Sequence, residues 1–158
     1  MKFCQAKIIF CLAISALVVI SFVFSLQLYL KSSQRLSEPI FIQIKDMTIK
    51  AEVATSPQAH YKGLSGRRDL CSDCGLLFVF PDNQIRSFVM RDMNFPLDII
   101  FIEKGVIKNI SASANQNDPN TIYFSQGTAD QVLEINAGLS TSYSLVPGDE
   151  IKIKNYEN

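Results

Sequence analysis

From Ile40 onward the chain alternates between short apolar runs and clusters of turn residues. Leu76 to Phe80 is too apolar and too β-prone to face water on either side. Pro81-Asp82-Asn83 follows as a stop, Ser87 to Met90 starts a second run, and Asn94-Phe95-Pro96 separates it from a third, Leu97 to Ile102. Such runs predict buried strands. In the third, Leu97, Ile99 and Phe101 fall on one face, with Asp98, Ile100 and Ile102 on the other. Earlier, Ile40 to Ile44 and Ile49 to Ala54 flank Lys45 to Thr48. Ile49, Ala51 and Val53 alternate with Lys50 and Glu52, so a hairpin with a half-buried second strand is expected. Ser56-Pro57 reads as a helix cap followed by proline at the first helical position, and Gly63 as the stop.

Further along, Glu103-Lys104-Gly105 is a turn and Val106 to Ile110 a strand, whereas Ser111 to Asn120 is polar enough to be an exposed loop. Tyr123-Phe124, Gln131 to Ile135 and Glu150 to Ile153 complete the strands, with a helical turn or two between Asn136 and Leu145. Many short strands at intervals of roughly 8–12 residues predict a mainly β domain. The expected form is an antiparallel sandwich or partly closed barrel with one or two short helices.

The N-terminal pattern is different. Residues 8–30 contain no charge and no proline. As a helix this segment would reach about 35 Å, enough to cross a hydrocarbon layer of roughly 30 Å. It is longer than the apolar core of a cleaved signal peptide, and Ser21 to Ser25 is a poor cleavage site, so an uncleaved single-pass anchor is the preferred reading. Residues 31–39 form a polar tether, and 40–158 the β-rich domain. A short N-terminal tail normally stays in the cytoplasm, which places the domain outside the membrane.

The 158 residues leave room for one domain besides this element. Net charge is zero but uneven: residues 40–158 carry eleven basic and fourteen acidic side chains. That balance argues against nucleic acid as a partner, whose binding needs a basic surface.

Chemistry-bearing residues cluster around the central stretch. Cys71-Ser72-Asp73-Cys74 lacks the strand–helix setting of a redox pair and the second ligand pair of a zinc site. A local disulfide between Cys71 and Cys74 is preferred, given an oxidising compartment. Cys4 and Cys11 lie in or beside the apolar segment, and His60 is the single histidine. Neither a nucleophile elbow nor a phosphate loop is present, and no cofactor or metal is implied. Asp98 and Glu134 sit in apolar strands, so each requires a partner or a route to water. Arg67 or Arg91 is the expected partner of Asp98, since a guanidinium offsets the cost of burying a carboxylate. Asp92 is a further acid beside them. The candidate binding residues are therefore Arg67, Met90, Arg91, Asp92, Asp98 and Glu134.

Several blocks, in this order and spacing, resemble a known family. They are Gly63-Leu64-Ser65-Gly66-Arg67 with Leu70, Gly75 to Phe80, Ser87 to Met93, Phe95 to Ile102, Val132 to Gly138, and Gly148-Asp149. Together they are similar to the prokaryotic domain-of-unknown-function family numbered 192, over about Phe41 to Ile153. The resemblance implies a small β-rich domain, often behind a signal or anchor, with no established activity. After Phe88 the chain reads Val89, Met90, Arg91, Asp92 and Met93, where the family commonly has Trp, Met, Lys, Asn and Thr. The expectation is a binding or interaction module at the cell envelope, for an unknown envelope ligand or protein. A carboxylate-dependent hydrolase using Asp98 or Glu134 is the alternative, and a structural envelope protein the third.

Overall fold

A computed structural model describes residues 19–25, 27 and 39–154. The chain divides into two compact units, Met1–Glu38 and Pro39–Asn158. In the first, residues 19–25 are helical. Among the described residues no helix is long and apolar enough to cross a membrane. Most of the expected anchor at 8–30, and of the tether at 31–39, lies outside the described residues.

The second unit is mainly β. A seven-stranded sheet comprises β1 (Ile40–Ile44), β2 (Met47–Ala54), β3 (Cys74–Gln84), β5 (Leu97–Glu103), β6 (Val106–Ala114), β8 (Ala129–Asn136) and β9 (Ile151–Lys154), in the order β6-β5-β8-β3-β2-β1-β9. Two shorter strands, β4 (Ser87–Val89) and β7 (Ile122–Phe124), pair separately. Two short helices, α1 (Pro57–Lys62) and α2 (Leu139–Ser142), complete the unit. The sheet curls into a half-barrel whose edge strands approach each other at one end. There Val106 bridges Glu150, the Ile107 amide donates to Asp149 O at 2.9 Å, and the Ile151 amide donates to Gly105 O at 2.8 Å.

Period-2 alternation divides the core in two. One cluster takes Ile42, Ile49, Leu77, Ile100, Ile107, Leu133 and Ile151, one or more side chains from each of the seven strands, and so fills the concave face. The other contains Leu76, Phe78, Leu97, Ile99, Phe101 and Val132, covered by Leu64, Met90 and the partly buried Ala59, Phe88 and Tyr123. The two faces read from β5 are those observed.

Three local expectations are corrected. Pro81 does not end β3, which runs through it to Gln84. Opposite β8 the register slips between Val79 and Gln84, and in that bulge the missing proline N–H costs no ladder bond. The sheet is not wholly antiparallel, because β2 and β3 pair parallel, with α1 and the Cys71–Cys74 segment in the crossover. Finally, Ser111 to Ala114 belong to β6 rather than to the polar loop, and Ala114 is buried opposite Leu97.

Candidate functional site

The short helix α1 is fixed at both ends by its sequence. The Ala59 amide donates to Ser56 Oγ at 3.2 Å, Pro57 occupies the first turn, and the Gly63 amide donates to Ala59 O at 2.9 Å. The helix brings His60 onto the aromatic side of the sheet. His60 Nε2 lies 3.0 Å from Ala54 O, so this nitrogen carries the proton and donates. The ring packs 4.5 Å from Phe80 and 6.0 Å from Phe78, between centroids. Phe78 meets Phe88 edge-on at 4.9 Å, and Phe88 meets Phe101 at 5.9 Å.

Below this helix lies Glu134. Across the sheet Glu52, Leu76, Glu134 and Ile99 are register neighbours, so their side chains share the aromatic face. Glu134 is 6 % exposed. Burial pushes its carboxyl up to about 8, with the nearby Arg67 charge pulling the other way. Among the described residues its carboxyl has no hydrogen-bond partner. Gly63 makes room beside it: at φ +49°, a Cβ there would sit 3.3 Å from Phe78 Cζ and 4.0 Å from Glu134 Oε2.

The result is a cavity of about 230 Å³ with Glu134, Gly63, Phe78, Phe88, Met93 and Arg91 in its wall. Arg91 stacks 4.1 Å over the Tyr61 ring and donates through Nη2 to Tyr61 O at 2.8 Å. The loops carrying these residues are laced together. Ser65 Oγ donates to Arg91 O at 2.9 Å, the Gly66 amide to Asp92 O at 2.8 Å, and Asn94 Nδ2 to Arg67 O at 2.6 Å. Arg67 itself makes a bidentate pair with Glu52, at 2.6 and 2.7 Å. The hydrogen bond from Arg67 holds the Glu52 carboxyl below its ordinary range.

The six candidate residues therefore part company. Glu134 and Arg91 line the cavity, and Arg67 stands behind Glu134, occupied with Glu52. Met90 is a core residue, 1 % exposed and outside the cavity wall. The Asp92 side chain is 76 % exposed, 3.8 Å from Arg91 Nε, and its residue acts mainly through the backbone at φ 55°. Asp98 is the clearest correction. It is fully buried on the opposite face and, among the described residues, pairs with no arginine. Its Oδ1 accepts from the Ser113 amide at 2.8 Å, and its Oδ2 from the Ser140 amide at 2.9 Å and Ser140 Oγ at 2.6 Å. The reason is parity. Asp98 is the register partner of Ile135 and Ile99 that of Glu134, so the arginine-bearing loops cover the face to which Asp98 does not point.

Sequence reasoning set His60 aside as a lone histidine and left out Tyr61, Gly63, Phe78 and Phe88 as site residues. The signal that could have found them was the pairing of a capped helix with an aromatic alternation at Phe78 and Phe80. Cys71 and Cys74 are joined in a disulfide, with Cα atoms 5.1 Å apart. Asn136 Nδ2 donates to Cys71 O at 2.8 Å and the Lys50 amide to Asp73 O at 2.8 Å, which ties the bridge to the sheet. With Asp73, these cysteines are the metal-ligating types that cluster among the described residues, and the disulfide uses both sulfurs.

Comparison with known proteins adds the following. The family model DUF192, described as Uncharacterized ACR, matches residues 40–153. A crystal structure from Novosphingobium aromaticivorans, of a protein of unknown function, is 31% identical with a TM-score of 0.67, covering 72% of this chain and 83% of its own. A second, from Sinorhizobium meliloti, is described as a proposed transcription regulator. It is 28% identical with a TM-score of 0.69, covering 72% of this chain and 92% of its own. No curated protein matches the chain.

Proposed function

The chain belongs to the DUF192 family, and from that premise we propose that residues 40–158 form a ligand-binding module held at the outer side of the cell membrane by residues 8–30. The observation that carries the binding reading is Glu134: a largely buried carboxyl, without a hydrogen-bond donor among the described residues, whose oxygens reach the cavity it lines. An acid desolvated by burial and facing a cleft is a functional-site candidate.

The hydrolase reading is less well supported. Two acids must flank one scissile bond, or a nucleophile must stand beside its base. Asp98 faces away from Glu134, and Glu52, two strand spacings or about 10 Å off, is held by Arg67. The regulator description of the Sinorhizobium protein is not carried to this chain, whose acidic balance over residues 40–158 does not suit a phosphate backbone.

The test of the binding reading is a screen of compact aromatic and aliphatic fragments by NMR on the full chain. Fragments should perturb the signals of Gly63, Phe88 and Glu134, and Ser87→Trp, at the exposed rim of the cavity, should abolish the effect. Perturbations that never include these residues would overturn it. The location rests on the uncharged run at 8–30, and the Cys71–Cys74 disulfide supports an oxidising compartment. A reporter active only outside the cytoplasm, fused after Asn158, is expected to give signal; activity of a cytoplasmic reporter instead would reverse the orientation.

A further inference from the structure

Building on the binding reading above, we infer that the cavity takes a small carboxylate with an apolar body, bound by hydrogen bonding to Glu134 and by the positive rim. Three features of the wall lead there. First, its body is apolar, with Phe78, Phe88 and Met93 offering ring edges and a thioether but no charge. Second, the charged side chains in the wall besides Glu134 are Lys62 and Arg91, both cationic. Arg91 is oriented by Tyr61, whose ring and carbonyl take one side and Nη2 of its guanidinium. Its remaining donors suit a planar anion. Third, Glu134 is the acid in the wall, and a carboxylic acid kept neutral in an apolar site is a hydrogen-bond donor. A protonated carboxyl donating to a ligand carboxylate forms a short charge-assisted bond, which an amine or an alcohol cannot make in the same sense.

The surrounding groups support this polarity. From β2, Glu52 is neutralised by Arg67 of the crossover loop. From α1 come His60, which donates to Ala54 O, with Tyr61 and Lys62. From the segment after β4 comes Arg91, with the exposed Asp92 carboxylate 3.8 Å from its Nε. The register neighbours of Glu134 on β3 and β5 are Leu76 and Ile99, both uncharged. The wall thus presents two cations, one of them with Asp92 beside it, and one protonatable acid. At about 230 Å³ the space admits a compact molecule such as a single ring with a short acid arm.

The experiment compares three probes of one shape on the full chain: benzoate, benzyl alcohol and benzylamine, titrated at pH 7.5. Benzoate should bind at least about tenfold more tightly than either other probe. Its affinity should fall about tenfold for each pH unit above about 8, as Glu134 ionises. Glu134→Gln should flatten that profile, Glu134→Ala should weaken benzoate at every pH, and Arg91→Gln should weaken it about tenfold or more. Ser87→Trp should abolish binding. Tighter binding of benzylamine or benzyl alcohol would overturn the carboxylate assignment while leaving the cavity a binding site. Benzoate binding indifferent to Ser87→Trp would place it elsewhere and overturn the inference. Failure of all three probes would do the same, and the fragment screen above then decides whether the cavity binds anything.

Discussion

Asp98 and Glu134 are both acids buried in the sheet, on adjacent strands and one residue out of step, yet their surroundings are opposite. Asp98 points to the concave face and accepts three hydrogen bonds, two from backbone amides. The fold goes out of its way to supply them. On β6 the register slips between the partners of Leu97 and Ile99, and Ser113 takes φ 53°, which turns its N–H onto Asp98. Ser140, at the start of α2, gives both its amide and its hydroxyl. Glu134 points to the aromatic face, where it meets Phe78, Gly63 and open space. The contrast separates an acid that the fold uses from an acid that the fold keeps available.

The largest expected effect is at Asp98. Asp98→Ala leaves the two buried Ser140 donors and the partly buried Ser113 amide without an acceptor, and each charge-assisted bond of this kind is worth about 1.5–3 kcal/mol. A loss of about 4 kcal/mol in denaturant unfolding is expected; a loss under about 1 kcal/mol would break the contrast. Next comes Glu134, with a pH signature. Its folded-state carboxyl ionises near 8 instead of the ordinary 4.5. The stability this gives is present in full below pH 4.5 and is lost as pH rises towards 8, because the unfolded chain ionises first. Glu134→Gln should therefore leave stability unchanged at pH 4 and raise it at pH 9, by an amount of order 3 kcal/mol. A flat difference across that range would show the carboxyl to be solvated.

The smallest effect is expected at the Arg67–Glu52 pair. Its side chains are 36% and 49% exposed, so Glu52→Gln should cost less than about 1 kcal/mol. Arg67→Met should cost similarly little, but it also removes the charge that pulls the Glu134 carboxyl down. The Glu134 titration, followed by carbon NMR, should then move to higher pH. An unmoved titration would mean that Arg67 and Glu134 do not sense each other.

Much of the scaffold was legible from period-2 patterning. The hairpin of β1 and β2, the cap and stop of α1, and the two faces of β5 all follow from local residue types. What patterning could not supply was the partner of Asp98. A sequence advertises side-chain donors such as Arg67 and Arg91, but the donors used are mainly backbone amides, which every residue carries. Ser111 to Ala114 read as a loop because serine and alanine carry little strand signal, and their role depends on Leu97 across the ladder. Met90 was drawn in by charged neighbours, whereas its own apolar side chain sends it to the core. Glu134 stood out as an acid in an apolar strand. Its cavity did not, because that requires α1, the Gly63 turn and the segment after β4 to meet.

The meeting of β9 with β1 and of Glu150 with Val106 bears on the order in which the domain can be completed. The first strand of the unit has β2 on one side and, on the other, β9, the strand of the sheet farthest from it in sequence. Until Ile151 to Lys154 emerge, the edge of β1 is a row of unsatisfied amides and carbonyls, open to any extended chain nearby. The β-rich unit therefore cannot close progressively during synthesis. The four residues of β9 cover that edge and complete the sheet.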